Sequence, residues 1–238
     1  MASYLLGIKF CPLCLSLYHG RMELGRLYPV TTQDAPKKSK IRERNSQQIL
    51  KAAEDEFVLH GYKGTSMQSI ADRAGLPKAN IHYYFKNKAN LYQTVLEDIM
   101  ENWNQILDDM TPESDPKEVL TRFIRSKMQL SYSNPNGSKI FAMEIIQGAP
   151  HIKQYISKDM RLWVKEKTSV IQSWIDQGKM KPIDPTHLIF MIWATTQHYA
   201  DFSTQVLEVM NRREYEKEDI DHITAFLTSM ILSGCGLE

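Results

Sequence analysis

The sequence has no run of about 18 consecutive apolar residues, so it carries no expected membrane span. It is poor in cysteine: Cys11, Cys14 and Cys235 are too few for the disulfide framework of a small secreted domain, and a reducing cytoplasm is the expected setting. Cys11 and Cys14 form a single CxxC with no second pair to complete a four-ligand zinc site, so no metal or other cofactor is expected. Phosphate-cradling glycine loops, HExxH spacing and a persuasive Ser/His/Asp order are all missing, which argues against an enzyme. His187 and His198 are eleven residues apart, three helical turns, and cannot share an ion. Long alternating stretches rich in Val, Ile and Thr are missing too, which excludes a sheet-based fold.

What is present is helical pattern and uneven charge. The formal net charge of +1 hides an asymmetry. Residues 36–90 hold eleven Lys/Arg against five Asp/Glu, net +6, whereas residues 91–238 hold fifteen against twenty-one, net −6. A compact basic segment before an acidic remainder points to one part that meets a polyanion and one that does not. Three regions are expected: an extension over 1–35, a DNA-binding domain over 36–90, and a ligand-binding and dimerisation domain over 91–238. The extension is expected to lie outside the working fold, as an upstream segment with translation starting near Met22 or Val30.

The apolar stripe Ile49, Ala53, Phe57 marks a first helix, with Asn45 and Gln48 as a capping box and Gly61 as its stop. Thr65 with Gln68 reads as the cap of a second helix running to about Ala74. Gly75 turns the chain, and Pro77 suits the start of a short third helix from about Lys78 to Phe85. Asn87 then caps a helix to about Leu107. Further helices are expected over 116–132, 138–148, 152–177, 185–201 and 216–234. The fold class is therefore all-α, with an N-terminal three-helix helix-turn-helix domain and a larger helical domain.

The third helix raises a question of surface. His82, Tyr83, Tyr84 and Phe85 stand in one row, with Lys78, Lys86 and Lys88 beside them. A buried helix has no use for the lysines, and a solvated one none for the aromatics. The second helix of a helix-turn-helix enters the major groove of double-stranded DNA, and that surface wants both. Ile81 and Phe85 then face the core. Ala79, Asn80 and His82 can meet base edges, Tyr83 and Tyr84 can reach phosphates, and Lys78 and Lys88 can neutralise them. Thr65 is a cap first, with its helix N-terminus available to a phosphate. Tyr84 serves equally well as packing, and Lys86 as a solvated charge.

Residues 46–92 carry the pattern "A…F…GY.GTS…IA..AG" leading to "YYFKNKANL", which resembles the DNA-binding domain of the TetR family of bacterial repressors. The resemblance implies an all-helical homodimer whose N-terminal helices bind an operator and whose larger part binds a small effector. Carried over position by position, groove-facing residues are Lys78, Ala79, Asn80, His82 and Tyr83, and phosphate-facing residues are Thr65, Tyr84 and Lys88. Pro77 departs from the serine common in the family, so operator preference does not transfer. The stretches "SKIFAMEIIQGAP" and "GKMKPIDPTHLIFMIWATTQHYADF" resemble the uracil-responsive branch of the family, which represses pyrimidine utilisation.

In the effector half, "PTHLIFMIWATTQHYADF" is apolar nearly all round and must be buried on more than one side. One side can face its own core. The other, with a C-terminal helix carrying Ile223, Phe226, Leu227, Met230 and Ile231, can form a four-helix dimer interface. Gln197 inside that helix can pair with the imide edge of a pyrimidine. Trp103, Trp174 and Trp193 offer flat surfaces, and Phe141, Met143 and Gln147 lie on a neighbouring helix. Each tryptophan alone reads as core packing; as a set they read as a pocket for uracil or thymine. The functional expectation is a ligand-released repressor of pyrimidine catabolism. The alternatives are a family member with a different hydrophobic or aromatic effector, and a DNA-binding structural protein with none.

Overall fold

The computed structural model describes residues 35–237. Cys11, Cys14 and the rest of the N-terminal segment lie outside the described residues. Among those described, every regular element is helical. In order they are α1 (Ala35–Gly64), α2 (Met67–Ala74), α3 (Lys78–Tyr84), α4 (Lys88–Asn104), α5 (Pro116–Ser133), α6 (Pro135–Ile146), α7 (Lys153–Tyr155), α8 (Arg161–Asp176), α9 (Pro185–Asp201), α10 (Ser203–Met210) and α11 (Lys217–Cys235). A 3-10 turn, Gln105–Leu107, ends α4, and a π-helical turn, Ile156–Met160, joins α7 to α8.

Helix starts follow side-chain chemistry. Asp115 and Asp184 each accept two backbone N–H bonds ahead of a proline, and Asn87 caps α4 through the Asn90 amide. Two sequence-based caps are corrected. Asn45 lies inside α1, so it caps nothing, and the Gln48 amide instead donates 2.6 Å across to the Ala74 carbonyl at the end of α2. The cap of α2 is Ser66, paired reciprocally with Ser69, and not Thr65. The residue after a buried turn is the better cap because its hydroxyl stays free for the helix. Gly61 leaves the helical region inside α1, at φ 65°, as expected for its stop. Helix α10 was not anticipated.

From Arg42 onward the helices enclose two cores. The first runs from Ile49, Phe57 and Ile70 of α1–α2 through Leu91 to Met100 of α4, and on to Ile140 and Ile152. The second gathers Phe123, Met128, Ile171, Trp174, Ile192, Leu227 and Ile231. Helix α4 thus belongs to the DNA-reading head at one end and to the larger part at the other. Gly137 lets α6 approach α4 closely: a Cβ there would stand 3.2 Å from Ile99.

Candidate DNA-reading helix and effector cavity

Gly75 adopts φ 63°, a left-handed turn that suits glycine, and its amide closes α2 before the chain turns into α3. Within α3 only Ile81 is buried. Lys78, Ala79, His82 and Tyr83 are exposed, and Asn80 and Tyr84 are half-buried. Tyr83 is 71% exposed, and its ring meets that of Tyr84 edge-on at 5.2 Å. Such an aromatic left in water on a short cationic helix is what a recognition surface needs. The helix is braced from behind. Arg73 holds Glu56 at 2.6 Å, tying α2 to α1. Burial raises the Glu56 carboxyl, but hydrogen bonds from Arg73 and Ser69 outweigh it and leave the group below its ordinary range.

Two of the residues assigned to phosphate are committed elsewhere. Thr65 is 2% exposed, and its hydroxyl is directed at the carbonyls of Gly61 and Glu56. Its role is to close the α1–α2 junction. Lys88 donates to the carbonyls of Tyr62 (2.7 Å) and Thr65 (2.8 Å) and lies over the Tyr62 ring at 4.5 Å. Two of its three donors therefore staple the same junction. Buried carbonyls at a helix end must be satisfied, and these two side chains do that.

The larger part contains a cavity of about 230 Å³ between α4, α5, α6, α8 and α9. Of the seven residues expected there, Trp103, Phe141, Trp193 and Gln197 line it. Trp103 meets Phe141 edge-on at 5.0 Å, and Trp193 lies nearly parallel to Trp163 at 5.9 Å. The other three do not line it. Trp174 is fully buried in the second core, where its Nε1 donates to the Thr111 carbonyl. Met143 packs on the first core, and Gln147 is exposed past the end of α6. The last two follow from the turn of α6: Phe141 and Ile145, four residues apart, face the cavity, and their neighbours point elsewhere.

Sequence reasoning missed Lys127, Trp163, Asn104, Met100, Ile145, Ile156 and Met160, which complete the wall. A lysine inside the apolar face of α5, between Ile124 and Met128, was the available signal for the first of these. Met100, Trp103, Phe141, Ile156 and Met160 belong to the first core, whereas Trp163 and Trp193 belong to the second. The cavity therefore lies on the seam between them.

A second unanticipated feature joins α6 to the head. Glu144 is 2% exposed and accepts the His151 backbone amide at 2.6 Å and its ring Nδ1 at 3.1 Å. The His151 ring packs 4.3 Å from Tyr62 and 5.0 Å from Tyr92, centroid to centroid. Burial and the neighbouring Glu144 carboxylate push the Tyr92 hydroxyl above its ordinary range, so it stays a donor. Ala149, two residues before His151, adopts the left-handed φ of 57°, a strained conformation for alanine held by the surrounding packing. At the other end of α6, Asn134 and Asn136 donate to Glu54 and Asp55 of α1. Helix α6 thus grips α1 and Tyr62 with both ends and walls the cavity with its middle.

A short exposed cationic helix behind a glycine turn, braced on a larger helical bundle, defines a helix-turn-helix DNA-binding regulator. Residues 49–95 match the model of bacterial regulatory proteins of the tetR family, and residues 96–238 match that of the YcdC-like protein C-terminal region. The chain is 41% identical over 170 residues to the HTH-type transcriptional regulator RutR of Escherichia coli K12, covering 71% of this chain and 80% of that protein. It is 27% identical over 163 residues to the HTH-type transcriptional repressor NicS of Pseudomonas putida, covering 66% and 76%. The fold is shared with the regulator FadR of Bacillus subtilis in complex with stearoyl-CoA (TM-score 0.60, 22% identity, 79% and 98% covered) and with FadR of Bacillus halodurans (0.59, 18%, 79% and 94%). The chain belongs to the TetR family: it is a DNA-binding transcriptional regulator and not an enzyme.

Proposed function

We propose that the chain acts as a homodimeric repressor of pyrimidine catabolism, released from its operator by uracil or thymine. The observation that carries this is the cavity. At about 230 Å³ it falls below the roughly 300–1,000 Å³ of sites for drug-sized ligands, and two pairs of aromatic rings line it. A single planar ring suits it; a long acyl chain with a coenzyme head does not. Gln197 offers one acceptor and two donors, the complement of an imide edge. The similarity to RutR and to the uracil-responsive branch of the family supports the same ligand class.

Dimerisation is supported by an unpartnered apolar face. On α9, Phe190 (47% exposed) and Met191 (44%) point outward, as do Phe226 and Met230 (60% each) on α11, while Ile189, Ile192, Leu227 and Ile231 point inward. Two outward stripes of this kind suit a four-helix interface between two copies, which sets two α3 helices about one DNA turn apart. Lys78, Ala79, Asn80, His82 and Tyr83 read the groove. Tyr84 and the remaining donor of Lys88 face phosphates, and Ser66, exposed at the start of α2, takes the position first given to Thr65.

The ligand acts by binding one spacing of the two heads better than the other; a tenfold effect needs about 1.4 kcal/mol of difference. Helices α4 and α6 both carry cavity residues and both reach the head, so a shift of either moves α3. The test is operator binding by purified protein to the DNA upstream of its own gene, at fixed and stated salt, with and without uracil and thymine. Release by a pyrimidine supports the whole reading. Tight binding unmoved by either base keeps the repressor and points to another small aromatic effector.

A further inference from the structure

A buried lysine stands in the wall of the effector cavity. Lys127 of α5 is 2% exposed, and its Nζ lies 3.8 Å from the centroid of the Trp103 ring. Among the described residues it has no carboxylate within ion-pair distance and no hydrogen-bond acceptor; the carboxylate whose charge it feels, Asp201, accepts the Ser138 hydroxyl instead. The ring face of Trp103 attracts a cation but leaves its N–H donors unsatisfied. Trp163 also lines the wall, but its unpartnered Nε1 is sealed in the packing and offers no surface to the cavity. The Asn104 amide spends one of its two N–H donors on the Tyr155 hydroxyl.

Buried donors without acceptors destabilise a fold, and a methionine at 127 would fill the space without that cost. A charged donor of this kind in a cavity wall is complementary to a molecule that brings an acceptor. Resting on the reading of this cavity as the effector site, we propose that Lys127 is its specificity-determining residue. It donates a charge-assisted hydrogen bond to an oxygen on the ligand ring, so the site takes planar rings with exocyclic oxygens and rejects rings that lack them. Burial also lowers the Lys127 ammonium to about 7, only partly opposed by Asp201, so a ligand oxygen that accepts its hydrogen bond favours the charged form.

The test compares the full-length wild type with Lys127→Met by calorimetry against uracil, 4-pyrimidinone and 2-pyrimidinone, the last two each lacking one exocyclic oxygen. Thermal unfolding confirms that the variant is folded, as expected for a substitution that removes a buried charge. The wild type should bind uracil about ten- to a hundredfold more tightly than the variant, the range of a charged hydrogen bond. It should also discriminate between uracil and one mono-oxo ring by a similar factor that vanishes in the variant. Equal uracil affinity in both proteins overturns the role of Lys127 and leaves the pyrimidine reading standing. If the wild type ignores all three pyrimidines, that reading fails, and both proteins are screened by thermal shift against small aromatic carboxylates, other oxo-heterocycles and oxygen-free rings. An oxygen-bearing compound that stabilises the wild type but not the variant upholds Lys127 with a different effector. Equal stabilisation, binding of oxygen-free rings alone, or no binding overturns it.

Discussion

The head-side core and the cavity seam treat buried polar groups in opposite ways. In the head-side core Glu56 meets Arg73, Thr65 meets two carbonyls, and Glu144 takes two bonds from His151. On the seam with the second core, Lys127 and the Trp163 indole have no hydrogen-bond partner among the described residues. Packed polar groups that are fully partnered hold geometry; donors left without acceptors mark a place made for something else. The head is built to be rigid and to present α3. The seam is the place that the proposed effector fills.

The largest effect should come from outside both cores. Placing charges on the outward stripes with Phe190→Asp and Phe226→Asp should abolish the dimer in sedimentation and weaken operator binding by about a hundredfold or more, the scale of lost bivalency. A variant that stays dimeric would place the interface elsewhere. Next is the seam. Trp103→Ala removes a stacking face, worth about 1–3 kcal/mol, and should lower pyrimidine affinity by about ten- to a hundredfold in calorimetry. Operator binding without ligand should stay within about threefold, because Trp103 stands at the C-terminal end of α4, in the cavity wall, and α3 precedes the other end. A matching loss of both would blur the contrast between seam and head.

The orphaned lysine predicts a pH dependence. Its folded-state pKa near 7 lies under the ordinary lysine value of 10.5 because burial disfavours the charge. Between those values the unfolded chain holds a proton that the folded one lacks, so folding stability rises with pH there and is flat below about 7. Relative to Lys127→Met, the ligand-free wild type should gain about 2 kcal/mol from pH 7 to pH 9 in chemical denaturation. A flat difference would mean that Lys127 has found an acceptor. A smaller effect concerns the joint between regions. His151→Ala should leave ligand affinity within about threefold but shrink the ligand-induced loss of operator binding by several-fold, equivalent to roughly 0.5–2 kcal/mol of coupling. Unchanged coupling would leave α4 as the sole link. Smallest is Lys78→Ala, which should reduce the slope of log affinity against log salt by about one.

The head was the more legible region. Glycine and proline punctuation, the apolar stripe of α1 and the aromatic row of α3 are local signals, and a seven-residue helix can bury little more than Ile81. Even there, the expected roles of Thr65 and Lys88 changed, since their acceptors are backbone carbonyls brought near by the α1–α2 turn, up to 26 residues away in sequence. The cavity was half legible. Four residues were expected on it because they stand out by type, but Trp174 stands out equally and is core. The rotation of α6 separates Phe141 from Met143 and Gln147, and no local pattern fixes that rotation.

Helix positions, the basic head, the acidic remainder and the recognition helix were determined by the sequence itself, through period, caps and charge that act over a few residues. The partnering of buried polar groups was decided only by the tertiary structure. Whether Glu144 finds His151, or Lys127 is left facing a cavity, depends on which helices meet and at what rotation. That is a property of packing across distant segments, and it separates the partnered head-side core of this regulator from the cavity seam.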